Sequence, residues 1–352
     1  MTPDRPPPDI DNRGEPDYPA RIADIAQALL TWPGPVVIAT HADPDGDALG
    51  GALALRRALV KLGKTVLLPA DAPRYLDFLF RPGELAEPLA ELPENALVAV
   101  LDVDVGDRLA GVPVAGTAVV GAAFTVVLDH HGTSNRVGDL VCVEPGQAAT
   151  SQMVKDVLDA FQFPWTEAEA TPCLTGISSD TGGFRFGNTT PAVLRAAADL
   201  LSYGVPYAEL NDRLQERHPD YYRMLGLVMS TVTFPFGGLA ACVTLTQAMR
   251  DAVGPTDDDS SDYVGLIRYA AGTVVALFIR EEKAPDGLKV KLSVRARPGV
   301  SAQAICASLG GGGHVAAAGA TLYEPLNEAT TRILAAVGAE LQRAGYDVPA
   351  QV

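Results

Sequence analysis

Short apolar, β-branched runs alternate with amphipathic segments in the first half of the chain. Four of these runs predict strands, at residues 35–40, 64–70, 96–102 and 124–131. A helical pattern over residues 48–63 follows the first of them. Buried apolar strands separated by helical segments are typical of a mainly parallel sheet with helices on both faces. The pattern therefore predicts an α/β fold for this half.

Helical patterns dominate the middle of the chain, and strand-like runs return near its C-terminal end. The middle segments predicted as helices are 146–161, 166–180, 189–204 and 207–230. The later strands are predicted at 237–246, 273–282 and 288–296, and the later helices at 261–272, 301–310 and up to about residue 344. The predicted organisation is a disordered proline-rich arm (1–19), an α/β domain (20–200), a helical linker (201–230) and a smaller α/β domain (231–345).

The composition describes an acidic globular protein. The 352 residues are 47% hydrophobic and 20% charged, and 43 Asp and Glu against 27 Lys and Arg give a net charge of −16. A protein that coats long or duplex nucleic acid needs a basic footprint, so that class is excluded. A small anionic substrate remains compatible if a bound metal ion supplies local positive charge.

The cysteines and the N-terminus predict a cytoplasmic protein without a membrane segment. The four cysteines are far apart and form no C-x-x-C pair, which disfavours zinc ribbons and redox motifs and predicts buried, reduced thiols. Residues 111–128 carry no charge, but they are rich in Gly, Ala and Thr and include Pro113. A loop followed by a buried strand explains that segment better than a membrane span does. The N-terminus has no apolar core of a signal peptide.

The stretch "HADPDGDALGG" places His41, Asp43, Asp45 and Asp47 in a strand-to-helix loop. An acidic helix start is the plain alternative, because the helix dipole alone favours Asp there. However, three carboxylates and an imidazole within seven positions repel one another unless a cation is bound. A metal site is therefore predicted, with His41, Asp45 and Asp47 as candidate ligands.

Two further strand ends carry candidate ligands. Asp102 directly continues an apolar run, where an unpaired carboxylate would be costly. "LDHHGTSN" places Asp129, His130 and His131 at the end of another strand. A histidine that bonds the backbone would explain one imidazole but not both. Since ligand sites of open α/β sheets lie beyond the carboxyl ends of the strands, these residues are expected to converge.

Asp180 ends the helical segment in "GISSDTGGFRF" and is followed by Gly182 and Gly183. A glycine helix cap beside an acidic residue is an equally good interpretation of this motif alone. A set of Asp and His ligands without Cys suits Mn²⁺ or Mg²⁺, although His keeps Fe, Co and Zn open. The number of ligands exceeds the need of one ion, which favours a two-metal site for displacement at phosphorus.

The stretch "SLGGGGHVAAAG" contains four consecutive glycines followed by His314. Such a run leaves backbone N–H groups open to an anion, whereas a flexible loop is the alternative. Arg295 and Arg297 lie just upstream and make a phosphate clamp credible.

Together, "HADPDGDALGG", "VLDVDVGDR", "LDHHGTSN", "GISSDTGGFRF" and "SLGGGGHVAAAGATL" resemble, in this order, the motifs of the DHH phosphoesterases with a C-terminal DHH-associated domain. The resemblance covers about residues 20–345. It looks closest to the bacterial branch that combines oligoribonuclease activity with dephosphorylation of 3′-phosphoadenosine 5′-phosphate. It implies a DHH catalytic domain, a substrate-binding second domain and an active site in the cleft between them.

The resemblance implies a centre of two Mn²⁺ ions, with Mg²⁺ or Co²⁺ as substitutes. Carried onto this chain, the ligands of one ion are His41, Asp45 and Asp102, and those of the other are Asp47, Asp102, His130 and Asp180. The catalytic set is Asp102, Asp129, which would orient an imidazole, and His131, which would face the substrate phosphate. The substrate-binding set is Arg185, Arg295, Gly311, Gly312, Gly313 and His314.

The implied activity is hydrolysis of phosphate esters by a hydroxide that two metal ions activate. Short RNAs, including linear dinucleotides such as pGpG, would give mononucleotides, and 3′-phosphoadenosine 5′-phosphate would give AMP. The alternatives are an inorganic pyrophosphatase or a cyclic-dinucleotide phosphodiesterase of the same superfamily, and, from another class, an inactive nucleotide-binding regulator. A missing ligand would indicate the regulator, and none of the implied ligands is missing. The oligomeric state stays open, a homodimer being one alternative.

Overall fold

The computed structural model describes residues 17–254, 262–284 and 287–348. They form two compact units, divided between Glu216 and Arg217. The division lies within the stretch 201–230, for which a helical linker is predicted. The predicted arm lies outside the described residues except at its end, where a helix begins at Tyr18. The sequence also predicts a solvated acidic loop at 254–261 and a turn at 285–287, of which residues 255–261 and 285–286 lie outside the described residues.

The N-terminal unit alternates strands and helices. Its elements are α1 (Tyr18–Thr31), β1 (Val36–Ala39), α2 (Gly46–Lys61), β2 (Val66–Leu67), β3 (Leu97–Leu101), β4 (Val114–Ala115), β5 (Ala118–Val119), β6 (Phe124–Asp129), β7 (Leu140–Val143), α3 (Thr150–Ala160), α4 (Glu167–Asp180), α5 (Pro191–Leu201) and α6 (Tyr207–Gln215). Short 3₁₀ helices span Arg74–Leu79 in this unit and Phe236–Gly238 in the other.

The main sheet of this unit is parallel throughout, in the order β2-β1-β3-β6-β7. Its strands are buried on both faces, which is why they have continuous apolar sequences. Ile38 points into a core with the helices α1 to α5, whereas Val37 points to the opposite face. The predicted parallel α/β fold is confirmed.

The expectation of helices on both faces of this sheet is wrong for the described residues. The second face is covered by apolar side chains from the strand ends and from the long connection that contains the β4–β5 hairpin, among them Val103, Leu109 and Val119. That connection runs from β3 to the adjacent β6 without a helix, since segment 102–123 is interrupted by four glycines and one proline. All five helices α1 to α5 therefore gather on one face.

Close packing among α2, α3 and α4 brings polar residues to the carboxyl edge of the sheet. A β-carbon at Gly50 would overlap the carbonyl of Pro172 on α4. One at Gly176 would overlap Oγ of Ser151 at the start of α3 and come within 3.0 Å of Asp47. The small residues of "ALGG" and "LTG" thus let three helix segments meet beside the strand ends.

The C-terminal unit is a second α/β structure. Its elements are α7 (Pro219–Met229), β8 (Ala240–Leu245), α8 (Gln247–Val253), α9 (Asp262–Ile267), β9 (Val275–Ala284), β10 (Gly287–Ala296), α10 (Ala302–Ser308), β11 (Gly312–Gly313), β12 (Ala317–Leu322) and α11 (Leu326–Arg343). The sheet order is β11-β12-β10-β9-β8, in which only the β8–β9 pair is parallel among the described strands. Helices α10 and α11 pack on one face, and α7, α8 and α9 on the other.

Within the three described ranges, no helix combines the length and apolar character needed to cross a membrane. As predicted, all four cysteines are buried, and none of them forms a disulfide. Burial raises the pKa of Cys242 to about 11, so this thiol is not a nucleophile at neutral pH.

Candidate metal centre

His41 lies just beyond the end of β1 and is almost fully buried. Its Nδ1 is 2.9 Å from the carbonyl oxygen of Ala42. Because a carbonyl can only accept, Nδ1 carries the proton and Nε2 keeps a lone pair. Nε2 lies 3.6 Å from Oδ2 of Asp102 and 4.0 Å from Oδ1 of Asp45. The ring is therefore oriented as a metal ligand would be.

Asp45 is the N-cap of α2. Its Oδ1 accepts the backbone N–H groups of Asp47 and Ala48, at 3.0 and 3.1 Å. Helix capping alone can explain its position, which agrees with the alternative interpretation of the motif as an acidic helix start. Its carboxylate nevertheless lies with His41 and Asp102 in a group whose ligand atoms are all within 4.8 Å of one another. We call this group the His41 cluster.

His130 forms the centre of a second group. Its Nε2 lies 3.2 Å from Oδ2 of Asp180, which ends α4, and 3.8 Å from Oδ2 of Asp47. These three residues offer ligand atoms within 4.8 Å of one another, and we call them the His130 cluster. Helix α4 thus brings Asp180 to the edge where β6 ends.

The two carboxylate oxygens of Asp102 face different clusters. Its Oδ2 faces His41, whereas its Oδ1 lies 3.4 Å from Nε2 of His130 and 3.6 Å from Nδ1 of His131. The residue is 2% exposed and has a φ of +63°. A non-glycine residue in this region of conformational space costs roughly 1–3 kcal/mol and persists only where its surroundings hold it. Such strain is typical of functional sites.

Asp129 and His131 form a tight pair next to the clusters. Oδ1 of the buried Asp129 accepts the backbone N–H of His131 at 3.0 Å and its Nδ1–H at 2.8 Å. This fixes the tautomer of His131 and leaves Nε2 without its proton in the neutral ring. The His131 side chain is 42% exposed, so it can reach a substrate.

Buried carboxylates and imidazoles shift one another's pKa values. Burial raises the pKa of Asp47 well above its usual range, and the charges of Asp102 and Asp180 raise it further. Burial also acts to raise the pKa of Asp102, but His130 and His41 outweigh it and hold the pKa below the usual range. Burial lowers the pKa of His130, yet Asp102 and Asp180 raise it more, to about 11.

The raised pKa of His130 indicates that the surrounding carboxylates favour positive charge at this position. Nε2 of His130 is buried and makes no hydrogen bond to any described residue, although three carboxylates surround it. A buried imidazole nitrogen without a hydrogen bond to the protein is expected of a metal ligand. The mixed oxygen and nitrogen donor set suits Mn²⁺ and related divalent ions. The residues therefore fit one or more divalent cations.

The structure brings two of the predicted substrate residues to the same end of the C-terminal sheet. Arg295 on β10 pairs with Ala317 on β12, and its Nη1 donates to the carbonyl of Val294 at 3.2 Å. The exposed His314 closes the β11–β12 hairpin, where its N–H donates to the carbonyl of Ala317 at 2.8 Å.

The glycine run is ordered and forms a helix end and a strand, not a flexible loop. Gly310 has a φ of +80° after α10, and the N–H groups of Gly310 and Gly311 are bonded to α10 carbonyls. β-Carbons at Gly311 and Gly313 would overlap β12. Gly312 has open space where a side chain would be. Close strand packing therefore explains Gly311 and Gly313, and fewer N–H groups are open to an anion than the sequence suggests.

Arg185 lies in the N-terminal unit, where its Nε donates to the carbonyl of Gly182 at 2.6 Å. Gly182 and Gly183 both have positive φ angles, and Phe186 occupies the space beside Gly182. The Thr-Gly-Gly turn therefore folds back beyond Asp180 and holds the arginine near the end of α4.

Thr150 and Ser151 are the site residues that the sequence did not reveal. Their N–H groups donate to the carboxylate of Asp47 at 2.6 and 2.7 Å, and the Thr150 hydroxyl donates to Asp102 at 3.0 Å. The predicted helix over 146–161 in fact begins at Thr150. The only sequence signal was a Thr-Ser pair after "GQAA" at a helix start. It does not reveal these contacts, because the acidic partners are about 50 and 100 positions away in the sequence.

Comparison with known proteins identifies the family of the chain. The model described as "DHH family, N-terminal domain" matches residues 35–177, and the DHHA1 domain model matches residues 245–343. The chain belongs to the DHH family and carries a DHHA1 domain in its C-terminal half. All the residues of the two clusters except Asp180 lie within the first match.

Within that family the chain is similar to two named bacterial enzymes. It is 51% identical to the bifunctional oligoribonuclease and PAP phosphatase NrnA of Thermus thermophilus, over 95% of this chain and 99% of the relative. It is 27% identical to NrnA of Bacillus subtilis, over 82% of this chain and 89% of the relative. A solved exopolyphosphatase-related protein from Bacteroides fragilis shares the fold, with a TM-score of 0.79 and 19% identity, over 93% of this chain and 98% of that one.

Proposed function

We propose that the chain is a hydrolase that degrades short oligoribonucleotides, including linear dinucleotides such as pGpG, to mononucleotides and converts 3′-phosphoadenosine 5′-phosphate to AMP. Support comes from the half-identical Thermus enzyme, which the chain matches over 99% of its length. The observation that carries the proposal is the placement of Asp102, whose two oxygens face the His41 cluster and His130 respectively. One carboxylate shared by two clusters is what a two-metal phosphoesterase requires.

We propose that the two clusters hold two Mn²⁺ ions. His41, Asp45 and Asp102 would hold one ion, and Asp47, Asp102, His130 and Asp180 the other. When bound, such ions supply Lewis-acid stabilisation of the charge on a reacting phosphate and make a nucleophilic water available near neutral pH. The unpartnered Nε2 of His130 and the lone pair on Nε2 of His41 support this assignment.

His131 is proposed to give a proton to the leaving oxygen. Asp129 raises the pKa of His131 above its ordinary value, against the lowering effect of burial. Asp129 therefore favours the imidazolium form of His131 and holds its Nδ1–H. The other ring proton, on Nε2, is then available for transfer to the oxygen that leaves phosphorus. Asp129 acts through His131 by orienting it.

The C-terminal residues are proposed to hold the nucleotide. The guanidinium of Arg295 suits a phosphate, and His314 lies exposed one strand away in the same sheet. Gly312 leaves room for a ligand against the backbone. Arg185 would add a positive charge near the end of α4. In this proposal the substrate-binding domain spans about residues 231–345 and the catalytic domain about 20–200.

An activity panel tests the proposed function. Purified protein with Mn²⁺ is assayed on pGpG, a short RNA, 3′-phosphoadenosine 5′-phosphate, inorganic pyrophosphate and a cyclic dinucleotide, with a chelator-treated sample as control. The proposal expects hydrolysis of the first three and loss of all activity with the chelator. Preferential hydrolysis of pyrophosphate or of the cyclic dinucleotide would contradict it, and inactivity on every substrate would favour a nucleotide-binding regulator.

A further inference from the structure

Helix α3 begins without a capping side chain of its own. Its N-cap, Ala149, offers no side-chain hydrogen bond. Asp47, from the first turn of α2, takes this role: Oδ2 accepts the N–H of Thr150 and Oδ1 accepts that of Ser151. The Ser151 hydroxyl donates in turn to the carbonyl of Asp47 at 3.0 Å. The first turn of α3 is thus attached to one carboxylate of the candidate centre.

The hydroxyl of Thr150 reaches a second carboxylate. Oγ1 donates to Oδ1 of Asp102 at 3.0 Å, which is shorter than the 3.4 and 3.6 Å that separate this oxygen from His130 and His131. Thr150 is fully buried, and its β-branched side chain has little freedom at χ1. One residue therefore contacts Asp47 through its backbone and Asp102 through its side chain.

The covalent structure of Asp102 does not by itself determine how its carboxylate is rotated. Its carboxylate must turn so that Oδ2 faces His41 and Oδ1 faces His130. The terminal torsion of aspartate is broad, so nothing intrinsic selects that angle. The hydrogen bond from Thr150 selects it, because rotation of the carboxylate would break the bond. After accepting this bond, Oδ1 still has a lone pair for a cation.

We propose that Thr150 is a positioning residue of the metal centre: its hydroxyl fixes the rotation of the Asp102 carboxylate, so that one oxygen faces each cluster. The inference rests on the proposed function, because it takes Asp102 as the ligand shared by two ions. It goes beyond that proposal, because it assigns a role to a residue that contacts neither substrate nor metal.

Two substitutions at Thr150 and one control separate positioning from packing. Thr150→Val removes the hydroxyl but keeps the shape and the N–H that donates to Asp47. Thr150→Ser keeps the hydroxyl. The control is Thr175→Val, because Thr175 is equally buried in the same unit, but its hydroxyl donates to the backbone carbonyl of Thr171 at 2.8 Å. Mn²⁺ affinity and stoichiometry are measured by calorimetry on the substrate-free protein, and kcat and KM are measured with 3′-phosphoadenosine 5′-phosphate.

Thr150→Val is expected to bind Mn²⁺ between about 10- and 100-fold more weakly, the usual effect of losing a partner that orients a ligand. Its kcat is expected to fall while KM stays near the wild-type value. Thr150→Ser should restore binding, and Thr175→Val should bind like the wild type. If circular dichroism shows that Thr150→Val does not fold, Thr150→Ala takes its place in the same comparison.

Three results would overturn the inference: wild-type Mn²⁺ affinity in Thr150→Val, equal weakening in Thr175→Val, or no recovery in Thr150→Ser. If the wild type binds Mn²⁺ and hydrolyses the substrate, and Thr150→Val does the same, only this inference is wrong. A wild-type protein that binds no Mn²⁺ removes the proposed metal centre and this inference with it.

Discussion

Oδ1 of Asp129 accepts two hydrogen bonds from His131, one from its backbone N–H and one from its ring Nδ1. Asp129 is the last residue of β6 and is 1% exposed, so the rigid strand end determines where the imidazole lies. Asp129 is also the main cause that raises the pKa of His131. The pair therefore predicts a pH effect that a purely structural aspartate would not have.

Asp129→Asn should move the alkaline loss of kcat to lower pH. In the proposed reaction His131 must be protonated to donate to the leaving oxygen, so activity should be lost as pH rises through its pKa. Because Asp129 raises that pKa, removal of its charge lowers it and the loss begins earlier. The kcat–pH profile with 3′-phosphoadenosine 5′-phosphate at saturating Mn²⁺ measures this.

Asp139→Asn is the matched control for this profile. Asp139 is an exposed carboxylate that also accepts a backbone N–H of β6, from Thr125 at 2.7 Å, and it should leave the alkaline limb unchanged. An alkaline limb at the same pH in Asp129→Asn and the wild type would show that His131 is not the proton donor.

Mn²⁺ binding should release protons and become tighter as pH rises from 6 to 8. In the metal-free protein Asp102 and Asp180 outweigh the effect of burial and raise the pKa of His130 to about 11, so its ring is protonated there. A bound cation displaces this proton, and the affinity should rise about tenfold per pH unit for one proton displaced. Calorimetry across this range and an indicator dye in weak buffer measure the two effects. Affinity that does not change with pH, without acid release, would contradict the cluster assignment.

His314→Ala and Arg295→Ala should weaken substrate use and leave Mn²⁺ binding intact. Neither side chain belongs to the clusters, and both are proposed to hold the nucleotide. A fall of roughly tenfold or more in kcat/KM is expected from the loss of a charge-assisted hydrogen bond. Arg332→Ala is the control, since Arg332 is exposed on α11 and paired with Glu324. Loss of Mn²⁺ from a folded His314 or Arg295 variant would mean that their role is assigned wrongly.

Specific activity should fall as RNA lengthens past about five nucleotides, because the candidate site can neutralise few phosphates. The chain has 27 basic against 43 acidic residues, so longer RNA adds repulsion without compensating contacts. Rates on a dinucleotide, a pentanucleotide and an RNA of roughly 24 nucleotides at one salt concentration decide this. Equal or higher activity on the longest RNA would mean that a basic path exists and that the preference for short substrates is wrong.

The sequence predicted the fold where hydrophobic patterns were long and continuous. The apolar runs that form β1, β3 and β6 are buried on both faces, so their sequences clearly indicate strands. Strand β7 was missed, because its four residues follow a polar loop and are too few for a periodic signal. Helix α1 was missed beside the proline-rich arm. The segment 207–230, predicted as helical, contains two helices, because Pro219 starts the second one.

The candidate centre was predictable in its residues but not in its geometry. His41, Asp102 and His130 each follow a predicted strand. Their convergence was predictable, because the carboxyl ends of parallel strands share one edge of the sheet. No local pattern indicates that Asp102 adopts a positive φ, which tertiary contacts impose. The contacts of Thr150 with Asp47 and Asp102 depend on how α2, α3 and β3 pack, and sequence spacing does not encode that packing.

The central claim is that one centre, shared through Asp102, hydrolyses both phosphodiesters and the 3′-phosphate of 3′-phosphoadenosine 5′-phosphate. Asp102→Asn tests it cleanly, because asparagine tolerates the left-handed backbone at this position and can still accept the Thr150 bond. The measurement is the rate on pGpG and on 3′-phosphoadenosine 5′-phosphate for the wild type and this variant, with bound Mn²⁺ counted in each. We expect two ions and both activities in the wild type, and loss of both activities by at least about a thousandfold in the variant, because the charge shared by two ions is gone. Retention of either activity in a folded Asp102→Asn protein would contradict the account.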